Sequence, residues 1–385
     1  MNTSTTAGEK KMYKVKIRTE QKTYPVYLGQ KALDSTGQLI SAILPPCTAL
    51  VVSDKNVAAH YGEKCLKSLR DKSFEPFLEV LEGGEKEKSL SSAAALYSRA
   101  LEAGMDRSSV IIALGGGVIG DLAGFVAATY LRGVPYVQLP TTLLAMVDSS
   151  VGGKVAVNHP LGKNLIGAFY QPTLVVADGS TLHTLPEREF NAGLAELIKY
   201  GIIWDKKLFE RLELSLSNNK NTTPKKHFLE MNCSRLLKHI VSAVIIKGKI
   251  VSQDEREKDL RRILNFGHTF GHALEAGTGF HYYLHGEAVA CGMAMAARLA
   301  ALLGILDPLF VQRIIALLKC LHVPPPPLEL NRDTVIEALF YDKKKEGKEL
   351  VFILPVSLGK TTVCKTPPAP LIERVIEEYL GGELI

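Results

Sequence analysis

The run Val110-Ile111-Ile112-Ala113-Leu114 passes without a spacer into Gly115-Gly116-Gly117-Val118-Ile119-Gly120 and then into an apolar, helix-forming stretch. A strand-to-helix turn this bare of side chains lets backbone N–H groups and a helix N-terminus approach an anion closely. It also commits its neighbourhood to a strand–helix crossover, the unit from which parallel sheets are built. Residues 115–167 hold 10 of the chain's 32 glycines, more than twice an even share. Around the turn, strand-like and helix-like segments alternate. Val15–Ile17 with Val26–Leu28 reads as a hairpin, and Ala49–Val52, Phe77–Leu81, Tyr136–Leu139 and Leu174–Ala177 read as strands. Leu90–Ala103 has helical spacing. After about residue 188 the texture changes, and 190–203, 227–249, 263–276 and 287–303 carry helical periodicity with few strand signals. At 385 residues the chain is too long for one ordinary core, so a parallel-sheet half followed by a mainly helical half is expected.

Lys plus Arg number 46 against 40 Asp plus Glu, a net charge of +6 that suits a small anion as well as a nucleic acid. The six cysteines form no C-x-x-C pair and read as free thiols of a reducing cytosol. The first residues lack the apolar core of a signal peptide. Ala288–Leu306 approaches the length of a membrane span, but its Ala, Gly and Met content and Arg298 favour a buried helix. A soluble, cytoplasmic protein is expected.

The glycine turn fits G-x-G-x-x-G, yet no strand-end acid follows it at the distance where a dinucleotide ribose is usually held. The segment there is Leu139-Pro140-Thr141-Thr142. Asp54, at the end of an earlier strand, is the alternative acid. Gly153-Lys154 and Gly162-Lys163 each place a cation beside loop glycines, which suits phosphate or carboxylate. Four of the ten histidines, His268, His272, His281 and His285, fall within 18 residues. His268 and His272 are four apart, on one face of a helix, and suit Zn²⁺ with His285 as a third ligand. Spacing does not fix which three groups bind. Glu196, between apolar residues, is a carboxylate alternative, and its bland reading is a surface pair with Lys199. Continuing the histidine helix backwards puts Arg261 and Asn265 in the same row.

Taken in order, these segments resemble one family. Leu114–Phe125, Tyr130–Gly133, Pro140–Ser150, Gly162–Gly167, Leu194–Lys199, Asn265–His272 and His285–Glu287 are similar to the corresponding blocks of 3-dehydroquinate synthases, over about residues 50–360. The resemblance implies an α/β, Rossmann-like parallel-sheet NAD-binding domain (13–187) and a mainly α-helical metal- and substrate-binding domain (188–385), while residues 1–12 themselves read as a flexible tail. It implies conversion of 3-deoxy-D-arabino-heptulosonate 7-phosphate to 3-dehydroquinate and phosphate. NAD oxidises the substrate transiently, phosphate is eliminated, the ketone is reduced again, and an intramolecular aldol step closes the ring. One divalent metal, Zn²⁺ or Co²⁺, is implied on Glu196, His268 and His285, which moves His272 to a catalytic or phosphate-binding role. Lys154, Glu257, His272 and Asn265 match catalytic positions. Substrate positions are matched by Arg132, Asp148, Lys154, Lys163, Asn164, Lys199, Lys247, Arg261, Asn265 and His272, and by Lys343 or Lys344. For NAD the matches are Asp54, Asn56, Glu85, Lys88, Gly116, Gly117, Val118, Asp121, Thr141, Thr142, Asp148, Lys163, Thr181 and Thr184. The implied partner is a small sugar phosphate, with neither nucleic acid nor membrane, and a homodimer is typical of the family.

Three other readings compete. Sister cyclases act on other sugar phosphates, but Lys247, Arg261 and Asn265 together argue for a substrate that carries a carboxylate. A metal-dependent polyol or glycerol phosphate dehydrogenase would accumulate NADH. A non-catalytic binding protein would not retain so many of the expected polar residues.

Overall fold

The computed structural model describes residues 12–217, 222–231, 233–346 and 349–385, without the side chains of 231 and 341–346. The tail expected over 1–12 lies outside the described residues apart from Met12, which opens the first strand.

The chain divides into two compact units, one reaching to Leu185 and including Ile240–Arg256, the other comprising Pro186–His239 and Glu257–Ile385. In the first, β1 (Met12–Arg18) and β2 (Thr23–Gly29) form the expected hairpin, with Val15 opposite Val26. There follow β3 (Thr48–Asp54), helix α1 (Glu63–Arg70), β4 (Glu75–Leu81), α2 (Leu90–Glu102), β5 (Val110–Gly115), α3 (Gly117–Thr129) and β6 (Tyr136–Pro140). A separate hairpin, β7 (Lys154–His159) and β8 (Gly162–Phe169), precedes β9 (Leu174–Asp178). The main sheet has the order β1-β2-β9-β6-β5-β3-β4, and only the β1–β2 pair is antiparallel.

The strands read as continuous apolar runs because helices cover both faces. Leu50, Val52, Ile111 and Ala113 point into one core with Ala93, Leu96 and Val126. Ala49, Val51, Ile112 and Leu114 point into the other with Leu66 and Leu69. The sheet has a topological switch. From β3 the chain moves outward to β4, then returns to the other side of β3 and continues through β5, β6 and β9. Ligands of such sheets collect at the carboxyl ends flanking that reversal, here the ends of β3 and β5.

The second unit contains α4 (Glu187–Ile203), α5 (Lys206–Ser217), the start of α6 (Cys233–Gln253), α7 (His268–Gly277), α8 (His285–Leu302), α9 (Pro308–Lys319), α10 (Arg332–Glu346) and α11 (Ala369–Leu380). Helix α8 is buried along most of its length, as its Ala- and Met-rich sequence predicts. Arg298 is accommodated by a two-point hydrogen bond to Glu378 of α11, at 2.6 and 2.8 Å. No described helix is long and apolar enough to cross a membrane.

The structure departs from the sequence-based expectation in four places. Lys154 and Lys163, expected in loops, lie on β7 and β8. Val155 and Val157 turn inward there, and Val155 packs on Gly124, where a Cβ would come within 2.4 Å of its Cγ1. A hairpin of β10 (Val351–Ser357) and β11 (Lys360–Lys365) adds strands to the helical half. Residues 240–256, expected with the helices, group with the sheet. Buried Glu255 anchors them by accepting from the Glu20 N–H (2.9 Å) in the β1–β2 turn and from Gln171 Nε2 (2.7 Å). Finally, the helix expected over 263–276 is broken. Leu260–Asn265 is a tight 3-10 turn, and α7 starts afresh after Gly267, whose φ of +81° suits glycine. Arg261 and Asn265 therefore do not extend the histidine row on one helix.

Candidate active site and metal centre

In the sheet unit the proposed cofactor residues sit at the carboxyl ends of adjacent strands. Asp54 closes β3, and its Oδ1 accepts from the N–H groups of Asn56 (2.9 Å) and Val57 (3.0 Å). Next to it, Gly116 caps α3 and Gly117 and Val118 form its first turn. Gly115 pairs with Pro140, which brings Thr141 and Thr142 alongside. A Cβ on Gly116 would lie 3.0 Å from the Thr142 methyl, closer than an ordinary van der Waals contact, so the two segments approach tightly here. Beyond β9, the Thr181 hydroxyl donates to the Thr141 carbonyl (3.1 Å), and Thr184 pairs with the Tyr61 hydroxyl (2.7 Å). The Thr141 Oγ1 is buried with no hydrogen-bond partner, a polar atom awaiting one.

A second network lies at the start of α3. Buried Lys88 donates to Asp121 Oδ2 at 2.8 Å and, by a short contact, to Asn164 Oδ1. Burial raises the Asp121 carboxyl above its ordinary range, against the pull of Lys88. Asn158, which the sequence reading passed over, ties this network together. It accepts from the Asn164 N–H (2.9 Å), donates its side-chain amide to Glu85 (2.7 Å), and donates its own N–H to the Lys88 carbonyl (2.7 Å). Asn164 has a left-handed φ of +58°, a conformation tolerated best by glycine and asparagine. Lys163 precedes it on β8, and Lys154 lies exposed on β7. Lys247, on the part of α6 belonging to this unit, donates to both the carbonyl (2.6 Å) and Oδ1 (2.8 Å) of Asp148. Arg132 is not brought to these groups. It follows the C-terminal end of α3 and precedes the amino end of β6, the end opposite to the one that carries Thr141 and Thr142.

The helical unit gathers the ligand candidates. Glu196 comes from α4, His268 and His272 from α7, and His285 from the first turn of α8. These helices pack backbone to backbone. A Cβ on Gly286 would lie 2.0 Å from the Ala192 carbonyl oxygen of α4, so only glycine lets α8 come this near. As a result the donor atoms of Glu196, His268 and His285 lie within 4.8 Å of one another, with His268 Nε2 3.8 Å from Glu196 Oε1. The ring centroids of His272 are 5.4 Å from His268 and 5.9 Å from His285. Glu196 and Lys199 do form an ion pair, but both are only 1% exposed, so it is no surface pair. Burial, then the Lys199 charge, pushes His268 well below its ordinary pKa and keeps it a neutral, metal-competent imidazole. One carboxylate and two imidazoles form a donor set suited to zinc or cobalt.

Close in sequence to the ligands, Asn265 donates to Glu257 Oε1 (2.8 Å), and Arg261 is buried. The Lys343 and Lys344 side chains lie outside the described residues. A further carboxylate missed from sequence, Glu275, contacts His285 Nδ1 through Oε2 at 3.3 Å. Its signal was present: 268, 272 and 275 fall on one helical face.

Comparison with known proteins gives this arrangement its family. The model of the 3-dehydroquinate synthase N-terminal region matches residues 78–192, and that of the C-terminal region matches 193–345. The chain belongs to the 3-dehydroquinate synthase family. A 3-dehydroquinate synthase of Desulforamulus reducens is 47% identical over 354 residues, 91% of this chain and 96% of that one. Among solved structures, 2-deoxy-scyllo-inosose synthase complexed with carbaglucose-6-phosphate, NAD⁺ and Co²⁺ is 28% identical, with a TM-score of 0.83 over 96% of this chain and 100% of its own. The 2-epi-5-epi-valiolone synthase of Streptomyces hygroscopicus, with NAD⁺ and Zn²⁺ bound, is 27% identical, with a TM-score of 0.84 over 95% and 99%. The parallel-sheet and helical parts expected for the 3-dehydroquinate synthase family are thus both present.

Proposed function

We propose that the chain converts 3-deoxy-D-arabino-heptulosonate 7-phosphate into 3-dehydroquinate and phosphate, as a phosphate-eliminating carbon–oxygen lyase of aromatic amino-acid biosynthesis. The observation that carries this reading is the 47% identity to a 3-dehydroquinate synthase over 91% of the chain, against 28% to 2-deoxy-scyllo-inosose synthase.

Glu196, His268 and His285 would hold one zinc or cobalt ion, which when bound supplies a Lewis acid that acidifies a substrate hydroxyl and polarises a carbonyl. NAD, supplying a reversible hydride acceptor, would rest on Asp54, Asn56, Gly116, Gly117, Val118, Thr141, Thr142, Thr181 and Thr184, with Glu85, Lys88, Asp121, Asp148 and Lys163. The bare glycine turn and the unpartnered Thr141 hydroxyl fit such a guest. The remaining residues bind and orient. Lys154, Lys163, Asn164, Asp148, Lys247, Lys199, Arg261, Asn265 and His272 are the proposed groups for the phosphate, carboxylate and hydroxyls of the substrate. Arg132 and one of Lys343 or Lys344 are proposed from the family resemblance alone. Glu257, steadied by Asn265, is the proposed proton acceptor. Elimination needs no separate strong base, because the departing phosphate can take up the proton on the adjacent carbon while the cations hold it. A homodimer is proposed with this activity, and light scattering would give its mass. The proposed setting is the cytoplasm, supported by six free cysteines.

Substrate discrimination tests the reading. With NAD⁺ and Zn²⁺, the purified chain should release phosphate from the heptulosonate phosphate and not from sedoheptulose 7-phosphate or glucose 6-phosphate. The reverse preference would assign it to a sister cyclase.

A further inference from the structure

His268 and His285 are held differently, although both are proposed ligands. Each has its Nδ1 engaged by an acceptor: the Phe266 carbonyl at 3.2 Å for His268, and the Glu275 carboxylate at 3.3 Å for His285. A proton fixed on Nδ1 leaves Nε2 as the ligating atom, and ligating histidines are commonly oriented this way by a second group. His268 also has walls, since its side chain is 15% exposed. The His285 side chain is 40% exposed and stands in the first turn of α8, its ring against those of His268 and His272. Glu275, only 5% exposed, is itself immobilised on α7, one turn beyond His272. A buried carboxylate is costly unless hydrogen-bonded, and His285 supplies such a partner.

From this we infer that Glu275 is a positioning residue of the metal centre: it locks the rotamer and tautomer of His285 and, being charged, makes that imidazole a stronger donor than a carbonyl would. The inference rests on the metal reading given above. One rival is specific. The donor atoms of His272, Glu275 and His285 also lie within 4.8 Å of one another, so Glu275 could itself be a ligand. Glutamine separates the two roles, because its amide oxygen still accepts from Nδ1–H but is a poor replacement for a ligating carboxylate.

The test measures Zn²⁺ affinity of the metal-free chain by competition with a chromophoric chelator, together with the visible spectrum of the Co²⁺ form. Thermal unfolding without metal serves as the control for folding. Glu275→Ala should weaken Zn²⁺ binding about 10–100-fold and alter the Co²⁺ bands, while Glu275→Gln restores most of the affinity. If Glu275→Ala does not fold, the comparison of Glu275→Gln and Glu275→Asp with the unsubstituted chain carries the test, with Gln expected nearer to it than Asp. Unchanged affinity in a folded Ala variant, or Gln as weak as Ala, would overturn the inference while leaving the metal reading intact. Failure of the unsubstituted chain to bind one equivalent of Zn²⁺ would overturn both.

Discussion

Glu196 and Lys199 show how much one buried ion pair can depend on a third partner. Both are 1% exposed, and a buried charge is tolerated when another offsets it. Without metal, Lys199 is the cation beside Glu196; with metal bound, the carboxylate would have a second. Lys199→Met should therefore destabilise the metal-free chain by about 3–5 kcal/mol. Zn²⁺ should then raise its Tm by more than it raises that of the unsubstituted chain. Equal Zn²⁺-induced shifts in calorimetry would remove Glu196 from the ligand set. The sequence named both residues, but their spacing of three suited a surface pair equally well. Burial decides between the two readings, and it comes from helices far apart in sequence.

At the scale of elements, helix spacing places the ligands. Gly286→Ala would set a Cβ 2.0 Å from the Ala192 carbonyl oxygen and force α8 away from α4 beside His285. Overpacking of this kind typically costs about 1–3 kcal/mol. Here Zn²⁺ affinity should fall as well, whereas a variant that unfolds earlier yet binds Zn²⁺ normally would show that the contact serves packing alone. Helix α6 carries a pH-sensitive group. Burial, with nearby Arg211, Arg235 and Lys238, depresses buried His239 from 6.5 to about 4. Its stabilising contribution is complete above about 6.5 and is lost as pH falls towards 4, when the unfolded chain takes up a proton that the folded one refuses. The loss amounts to about 3 kcal/mol. His239→Gln should flatten urea-unfolding stability across that window, and an unchanged slope would contradict the assignment. The main sheet was legible because strands covered on both faces are continuous apolar runs. The β7–β8 hairpin was not, since Lys154, Asn158 and Lys163 mask its two inward valines. Nor was the break at Gly267, where one glycine resembled a tolerated helix residue.

Across the whole molecule, the proposed metal donors all lie in the helical unit and the proposed nucleotide residues all in the sheet unit, several of them at the carboxyl ends of its strands. The net charge of +6 gave no hint of this division. Its meaning is local: Lys88 is neutralised by Asp121 and Lys247 contacts Asp148, while Arg261 is buried. Motif order along the chain made the family legible. It could not reveal Asn158, whose role rests on hydrogen bonds, and Glu275 was signalled only by its helical spacing from His268 and His272. The central claim is a reaction that oxidises and then re-reduces its own substrate around a bound metal. It is tested most directly by following phosphate release from the heptulosonate phosphate with NAD⁺ present, alongside the near-ultraviolet absorbance of NADH, before and after chelation. Phosphate should appear with no net NADH, stop on chelation and resume with Zn²⁺. NADH accumulating in step with turnover, or phosphate release indifferent to the chelator, would contradict it.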